Sequence, residues 1–429
     1  MGGPASPPPP ERFRSILWAA VLVTVALTPL VFSTATKDVY RLPKTLFFQT
    51  AALLIGAAIV VWDANRGRLG ELAARHRTSL VFAVLAVAWT AIVSMTAVNP
   101  VVAAHAPLAV FCYASFFAAT LLFARRSPGI VLAALLVPAI VNAIVLLLQW
   151  RNVWTPVASN VLAEGRFRHT ALQGNPDPAG MYLILPAVAA IAAAFAFRRW
   201  RPVLVAAAAL ILVGLLLTES ITVFVTLAAV FVSFIVVVRS NKARVAMAVM
   251  LIAGVAVLAA YAPTRSRAKR IARWMSEGRY QDVTSFRLPA WAVAVTMFGD
   301  HPLTGVGPGG YAARYMSYKL AGDERHPEWM TMGNVNFGEA HNDHLQLLAE
   351  AGLPGYALFL VIAARVALLS VRVRKRSEET AVFVRMFALP AVAGFSVAAL
   401  AQFPMHLTAT SSVAVFTAAL CHAWGNDAD

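Results

Sequence analysis

The sequence holds 429 residues, 59% of them apolar and 13% charged, with a net charge of +16 and a mean hydropathy of +0.69. Soluble domains carry about 25% charged residues, so this chain lacks the charged skin that a soluble enzyme of its length needs. A basic excess would suggest nucleic acid in a soluble chain, whereas in a membrane protein lysines and arginines in that number set orientation.

Twelve apolar segments follow in chain order, at about 15–35, 43–62, 79–98, 103–124, 128–150, 178–197, 202–219, 221–238, 245–262, 354–371, 381–401 and 408–424. A helix needs roughly 20 residues to cross hydrocarbon, and twelve such spans use about 240 residues, close to the apolar total. The expected fold is therefore all-α, a polytopic membrane protein of about twelve transmembrane helices with one long outer loop. The seventh and eighth segments are parted only by Glu219 and Ser220 and also read as one bent unit. The first follows the proline-rich start PPPPERFR. Its length, and the lack of a small-x-small cleavage site, favour a retained helix over a signal peptide. The expected division is a cytoplasmic leader over 1–14, nine helices over 15–262, a long loop over 263–353, and three helices with a tail over 354–429. Cys112 and Cys421 sit in apolar stretches far apart, which gives neither a disulfide framework nor a cysteine metal site.

Basic residues test the sidedness. With the N-terminus inside, the inner loops carry Arg12 and Arg14; Arg66, Arg68, Arg75 and Arg77; Arg125 and Arg126; Arg198, Arg199 and Arg201; Arg239, Lys242 and Arg244; and Arg372, Arg374, Lys375 and Arg376. The outer loops after the third, seventh and eleventh segments carry none, and the first outer loop carries Lys37, Arg41 and Lys44. That alternation obeys the positive-inside rule and places both termini inside. Two outer segments stand apart: 151–177 with Arg151, Arg166 and Arg168, and 263–340 with ten basic residues from Arg265 to Arg325. Long loops translocate regardless of charge. The outward positive field suits anionic lipid headgroups or a diphosphate better than nucleic acid.

Neither an internal repeat nor inverted halves of the kind that mark transporters are legible. A transporter or flippase would also place ionisable groups inside its spans; here Arg365 and Glu219 are the few, both toward span ends. A purely structural scaffold gives no reason for the polar detail of the long loop. That loop contains TSFRLPAW (284–291), HPLTGVGPGGY (301–311) and EAHNDHLQLLAEAGLPGY (339–356). The last predicts a helix on which His341, His344, Leu345, Leu348 and Gly352 share one face, beside a stripe of Asn342, Gln346 and Glu350. A histidine at a helix N-terminus stays neutral, since the dipole disfavours a second positive charge. Such an imidazole at the membrane boundary suits a general base on a hydroxyl; the alternative is an interfacial polar residue that closes the helix. His341-Asp343-His344 also invites a metal reading, since positions i and i+3 can share a ligand face, but no third and fourth ligand stand at a recognisable spacing. Gly305 to Gly310 contain Gly-x-Gly with no strand before it, so tight turns are expected there rather than a nucleotide.

His341-Asn342, nine residues, then Gly352-Leu353-Pro354-Gly355 resembles the signature of the O-antigen ligase and O-antigen polymerase superfamily. Ser285-x-Arg287 with Trp291, followed by His301-Pro302-Leu303-x-Gly305-x-Gly307, resembles that family's approach to its large periplasmic loop. ALQGNPDPAGMYL (171–183) and Phe403-Pro404-Met405-His406 are similar to further family segments, so the likeness spans roughly 165–410. The resemblance implies a multi-pass protein of the bacterial inner membrane that moves a glycan from undecaprenyl diphosphate to an acceptor hydroxyl at the periplasmic face. It implies no cofactor, metal or nucleotide sugar. The acceptor would be lipid A–core for a ligase or a second lipid-linked glycan for a polymerase, with membrane lipids as the other partners. By the same resemblance His341 is the base, and Arg287 binds the diphosphate or else snorkels at the interface. Arg166 and Arg168 are further phosphate contacts, and Asn342 lies beside the substrate. One departure stands out: many members carry Ser-Arg-Gly where this chain has Thr218-Glu219-Ser220-Ile221, so the arginine expected at Ile221 is missing.

Overall fold

Each of the twelve apolar segments coincides with a helix in the computed structural model, which describes residues 11–64, 69–125, 127–156, 168–325 and 336–426. The first six helices are α1 (Glu11–Leu27), α2 (Arg41–Ala64), the short α3 (Leu69–Ala74), α4 (Arg77–Ser94), α5 (Pro100–Phe123) and α6 (Pro128–Trp150). Then come α7 (Pro176–Ala196), α8 (Arg201–Leu217), α9 (Ile221–Val237) and α10 (Asn241–Ala260). The long connection holds α11 (Ala262–Ser276), α12 (Tyr280–Val283), α13 (Leu288–Asp300) and α14 (Gly310–Arg325), before α15 (Asp343–Arg372), α16 (Glu379–Ala399) and α17 (Thr408–Asn426). No strand occurs among the described residues. Nine of the described helices are long and apolar enough to cross a membrane, and α9 is a shorter apolar helix. The protein is thus an all-α, multi-pass membrane protein.

Prolines and caps set the starts. Asn99 accepts from the amides of Val101 and Val102, and Asn175 from that of Asp177, each followed by a proline in the first turn, where the missing N–H costs nothing. Two boundaries differ from the hydropathy reading. α1 ends at Leu27 rather than near 35: Pro29 has no N–H to continue the ladder, and the chain closes in a turn in which the amides of Leu30 and Val31 donate to the Leu27 carbonyl. α15 starts at Asp343 rather than 354, because its first turns are polar and fall outside an apolar window.

α7 is the axis of the bundle: its apolar stretch is buried almost throughout, whereas those of α4 and α10 are hardly buried at all. Small residues such as Ala179, Gly180, Ala189 and Ala193 let α6, α8, α9, α16 and α17 close around it. α10 instead presents Val245, Val249, Ile252 and Val255 outward, as a lipid-facing helix should.

The connections sort to two ends. At one, Lys44 Nζ donates to the carbonyls of Val31 and Leu172, Arg267 to that of Glu219, Thr45 meets Thr408, and the amide of Asp343 meets the carbonyl of Gln402. At the other, Arg14 donates to Ala124, Arg239 to Arg374 and Arg376 to Gly425. The arginine-poor and arginine-rich loops of the sequence therefore gather on opposite faces. α13 and α14 pack on the start of α15 around a small second core of Ala290, Met297, Val306, Tyr311, Tyr315 and Ala349.

Candidate active site around His341

The site lies where α15 begins, and a break fixes that beginning. Gly352 interrupts α15 with φ 65° and ψ −174°, a region that is essentially open to glycine alone. A Cβ there would collide with the Leu303 carbonyl and lie 2.9 Å from that of Pro302. The turn 301–309 enters this gap: the amide of Leu353 donates to Pro302, and that of Val306 to Ala349. Gly305 and Gly307, both at positive φ, allow the turn to touch α15 and Ala97. Trp89 Nε1 donates to the Ala351 carbonyl that the break leaves open. The glycines of both motifs thus serve one clamp, which agrees with the expectation of tight turns.

His341 does not lie on the helix face that its spacing predicted. It precedes the cap with φ 51°, and Asn342 is the N-cap, its side chain accepting from the amide of Leu345. Three further non-glycine residues with positive φ are near in sequence to site elements: Ser285 and Phe286 just before Arg287, and Ala171 in the turn before α7. Such strain is held only where surroundings over-determine it. The His341 ring lies edge-on to Phe403 at 4.9 Å and Phe337 at 6.0 Å, and its Nδ1 is buried without a hydrogen-bond partner. Burial first, then the Arg287 guanidinium, hold the imidazole below its ordinary value, while Glu339, Asp177 and Gln402 pull the other way. The neutral state expected from a helix dipole is therefore reached mainly by desolvation.

The structure thus brings Arg287 to His341. Arg168 is exposed beside His169; Arg166 lies outside the described residues. Residues that sequence reasoning missed complete the site. Arg41, at the start of α2, pairs with Glu339 at 2.8 Å and covers the Phe403 ring at 4.9 Å. Asp177 stands in the first turn of α7. Its segment is fixed from inside the bundle: Asn142 and Gln149 of α6 bind the amides of Leu172 and Ala171, and Gln173 reaches Pro29.

Behind the cap, Asp343 is fully buried. Its carboxylate accepts from His406 Nδ1 at 2.7 Å and from the Met405 amide at 2.6 Å. Burial opposes charge on His406, but Asp343 outweighs it, with Glu350 and Glu339 adding, and the ring is raised to about 9. Gln346 binds the amide of Ala340 and places its Nε2 3.4 Å from His406 Nε2. Two segments some 60 residues apart are thus stapled on either side of His341. His344, by contrast, is a packing residue: its Nε2 donates to the Ser396 carbonyl, and Tyr356 meets its Nδ1.

At the turn where the arginine is missing, Glu219 adopts φ 50°. Arg267 from α11 donates to its carbonyl at 3.0 Å, and Tyr261 to its carboxylate. A guanidinium therefore reaches this turn from another helix.

The comparisons with known proteins agree with the motif. The family described as O-antigen ligase matches residues 206–360, which include Arg287, the glycine clamp and the His341 block. That match supports glycan transfer of the O-antigen ligase or polymerase type in general. No curated protein matches the chain.

Proposed function

From this O-antigen-ligase-type domain we propose that the protein moves a preassembled glycan from undecaprenyl diphosphate to an acceptor hydroxyl, most specifically O-antigen to lipid A–core. In this reading the reaction runs at the periplasmic face of the bacterial inner membrane, the end of the bundle where the short loops after α4, α8 and α16 carry no arginine. The observation that carries this reading is a neutral, partner-free imidazole nitrogen on His341 held beside the permanent cation of Arg287.

In the proposed reaction the acceptor hydroxyl gives its proton to His341 as its oxygen bonds to the anomeric carbon of the glycan. The bond from that carbon to the diphosphate oxygen breaks, and the electron pair leaves on the lipid diphosphate. Arg287, with Arg41 across Phe403, meets the developing charge, where forked donors are most effective. Arg267 supplies at the Glu219 turn the cation that Ile221 does not. Asn342 spends its side-chain oxygen on the cap, so only its amide nitrogen remains for substrate. Asp343, His406 and Gln346 hold the two strands of the site and act on the substrate through His341.

The test is a reconstituted assay with lipid-linked donor and two competing acceptors, lipid A–core and lipid-linked repeats. His341→Ala is expected to abolish transfer while the protein stays folded and inserted; full activity would refute the assignment. Capped lipid A–core is the product expected of a ligase, and longer lipid-linked chains would overturn ligation in favour of polymerisation.

A further inference from the structure

A cavity of about 640 Å³ runs between α2, α4, α5, α15, α16 and α17. Along α17 its lining extends from Thr408 to His422, about 21 Å at the helical rise. The middle is apolar, with Phe48, Ala109, Phe359, Ile362 and Phe395 among its walls. One end, at Met405 and His406, adjoins the site above. The other end is unrelated to it: there Arg365, His422 and Ser79 line the wall.

This far end is built for an anion. Arg365 lies over the Phe82 ring at 5.1 Å, and no carboxylate of the described residues pairs with it. It does not sit on the lipid-facing side of α15, which carries Leu360, Val361, Leu368 and Val371; it shares the cavity with Phe359, Ile362 and Val366. An arginine within a span is costly unless it serves a partner. His422 is 4% exposed, lines the same cavity, and its Nδ1 has no hydrogen-bond partner.

We propose that this cavity binds one anionic glycerophospholipid, its phosphate on Arg365 and His422 and one hydrocarbon chain along the apolar walls toward His406. The site takes lipid from the leaflet at the arginine-rich face, opposite the leaflet that meets His341. A guanidinium and an imidazole N–H both donate to phosphate oxygens, and the fixed charge of Arg365 disfavours a headgroup that brings a quaternary ammonium beside that phosphate. The apolar walls select a lipid over a free phosphate ion.

The test uses the full chain in detergent micelles, with phosphatidylglycerol or phosphatidylcholine of identical chains added and bound lipid counted by native mass spectrometry. One phosphatidylglycerol is expected to resist dissociation, with phosphatidylcholine about tenfold weaker, the scale of one solvent-screened like-charge contact. Arg365→Met and, independently, His422→Phe are each expected to lose that preference, while Arg199→Gln, an exposed arginine on the same face, keeps it. Unchanged melting temperatures separate loss of the site from loss of the fold; if Arg365→Met does not fold, His422→Phe decides. Equal binding of the two lipids, or an intact preference in both variants, overturns the proposal. So does a lipid lost on His406→Gln but kept by Arg365→Met, which would place an anionic headgroup at the opposite end. The readout needs no glycan transfer, so it stands or falls apart from that activity.

Discussion

Gly352→Ala tests the clamp that fixes the start of α15. At φ 65° and ψ −174° an alanine costs about 1–3 kcal/mol in backbone strain alone. Its Cβ meets the carbonyls of Leu303 and Pro302, which are backbone and cannot swing aside. Relief requires the 301–309 turn to withdraw, losing the bonds from Leu353 to Pro302 and from Val306 to Ala349, each worth about 1 kcal/mol. The sum is roughly 3–5 kcal/mol, which would lower the melting temperature by about 3–6 °C. Transfer activity should fall further than stability does, because the displaced turn lets the 340–351 segment, and His341 with it, drift from Arg287. Gly254→Ala is the control: nothing lies within 4 Å of its Cβ, and in the middle of α10 alanine should stabilise by up to about 1 kcal/mol. Thermal unfolding in micelles, with activity measured on the folded fraction, reads both. Parental melting and parental activity in Gly352→Ala would refute the clamp.

The base form of His341 is favoured below its ordinary range, so activity should hold through neutral pH and fail only as pH drops through that lowered value. Arg287→Lys keeps the charge but not the fork, and a loss of about tenfold or more in kcat/KM is expected; parental kinetics would assign Arg287 to the interface instead. Arg41→Gln unpairs Glu339, which already favours protonated His341; the acid limb of the pH–rate profile should therefore move upward, and an unmoved limb would remove Arg41 from the site. For His406 the folded value, about 9, lies above the unfolded one of roughly 6.5. Its pairing with Asp343 thus contributes fully below that unfolded value and is lost as pH rises through about 9. Melting temperature should fall over this window in the parent and stay flat in Asp343→Asn.

The helices were legible because each carries enough apolar residues to declare itself locally, and their sidedness because arginines alternate with them. The His341 block was legible as a motif, but its geometry was not. Helical spacing placed His341 on a face with His344, whereas the cap at Asn342 and a left-handed torsion turn it away. Nothing in the sequence near Arg41 signals Glu339, which lies 298 residues on; a lone arginine at a helix start reads only as an orienting charge. Asp343 and His406 suffered likewise: their pairing depends on how α16 returns beside α15, which no local pattern encodes. Gly352 marks the opposite case, since its torsion explains why that position of the motif must be glycine.

The parts that meet at His341 come from the start of α2, the start of α7, the N-terminus of α13, the segment before α15, and the turn between α16 and α17. During synthesis the ribosome therefore releases four of these five parts before the last exists. The earlier helices insert with Asp343 and the His341 strand still lacking the Gln402–His406 turn that pins them. Ser411 of α17 donates to the carbonyls of Pro404 and Met405, so that turn acquires its anchor only once α17 has followed. Assembly of the site is in this way tied to the docking of a helix that contributes no residue to the chemistry itself.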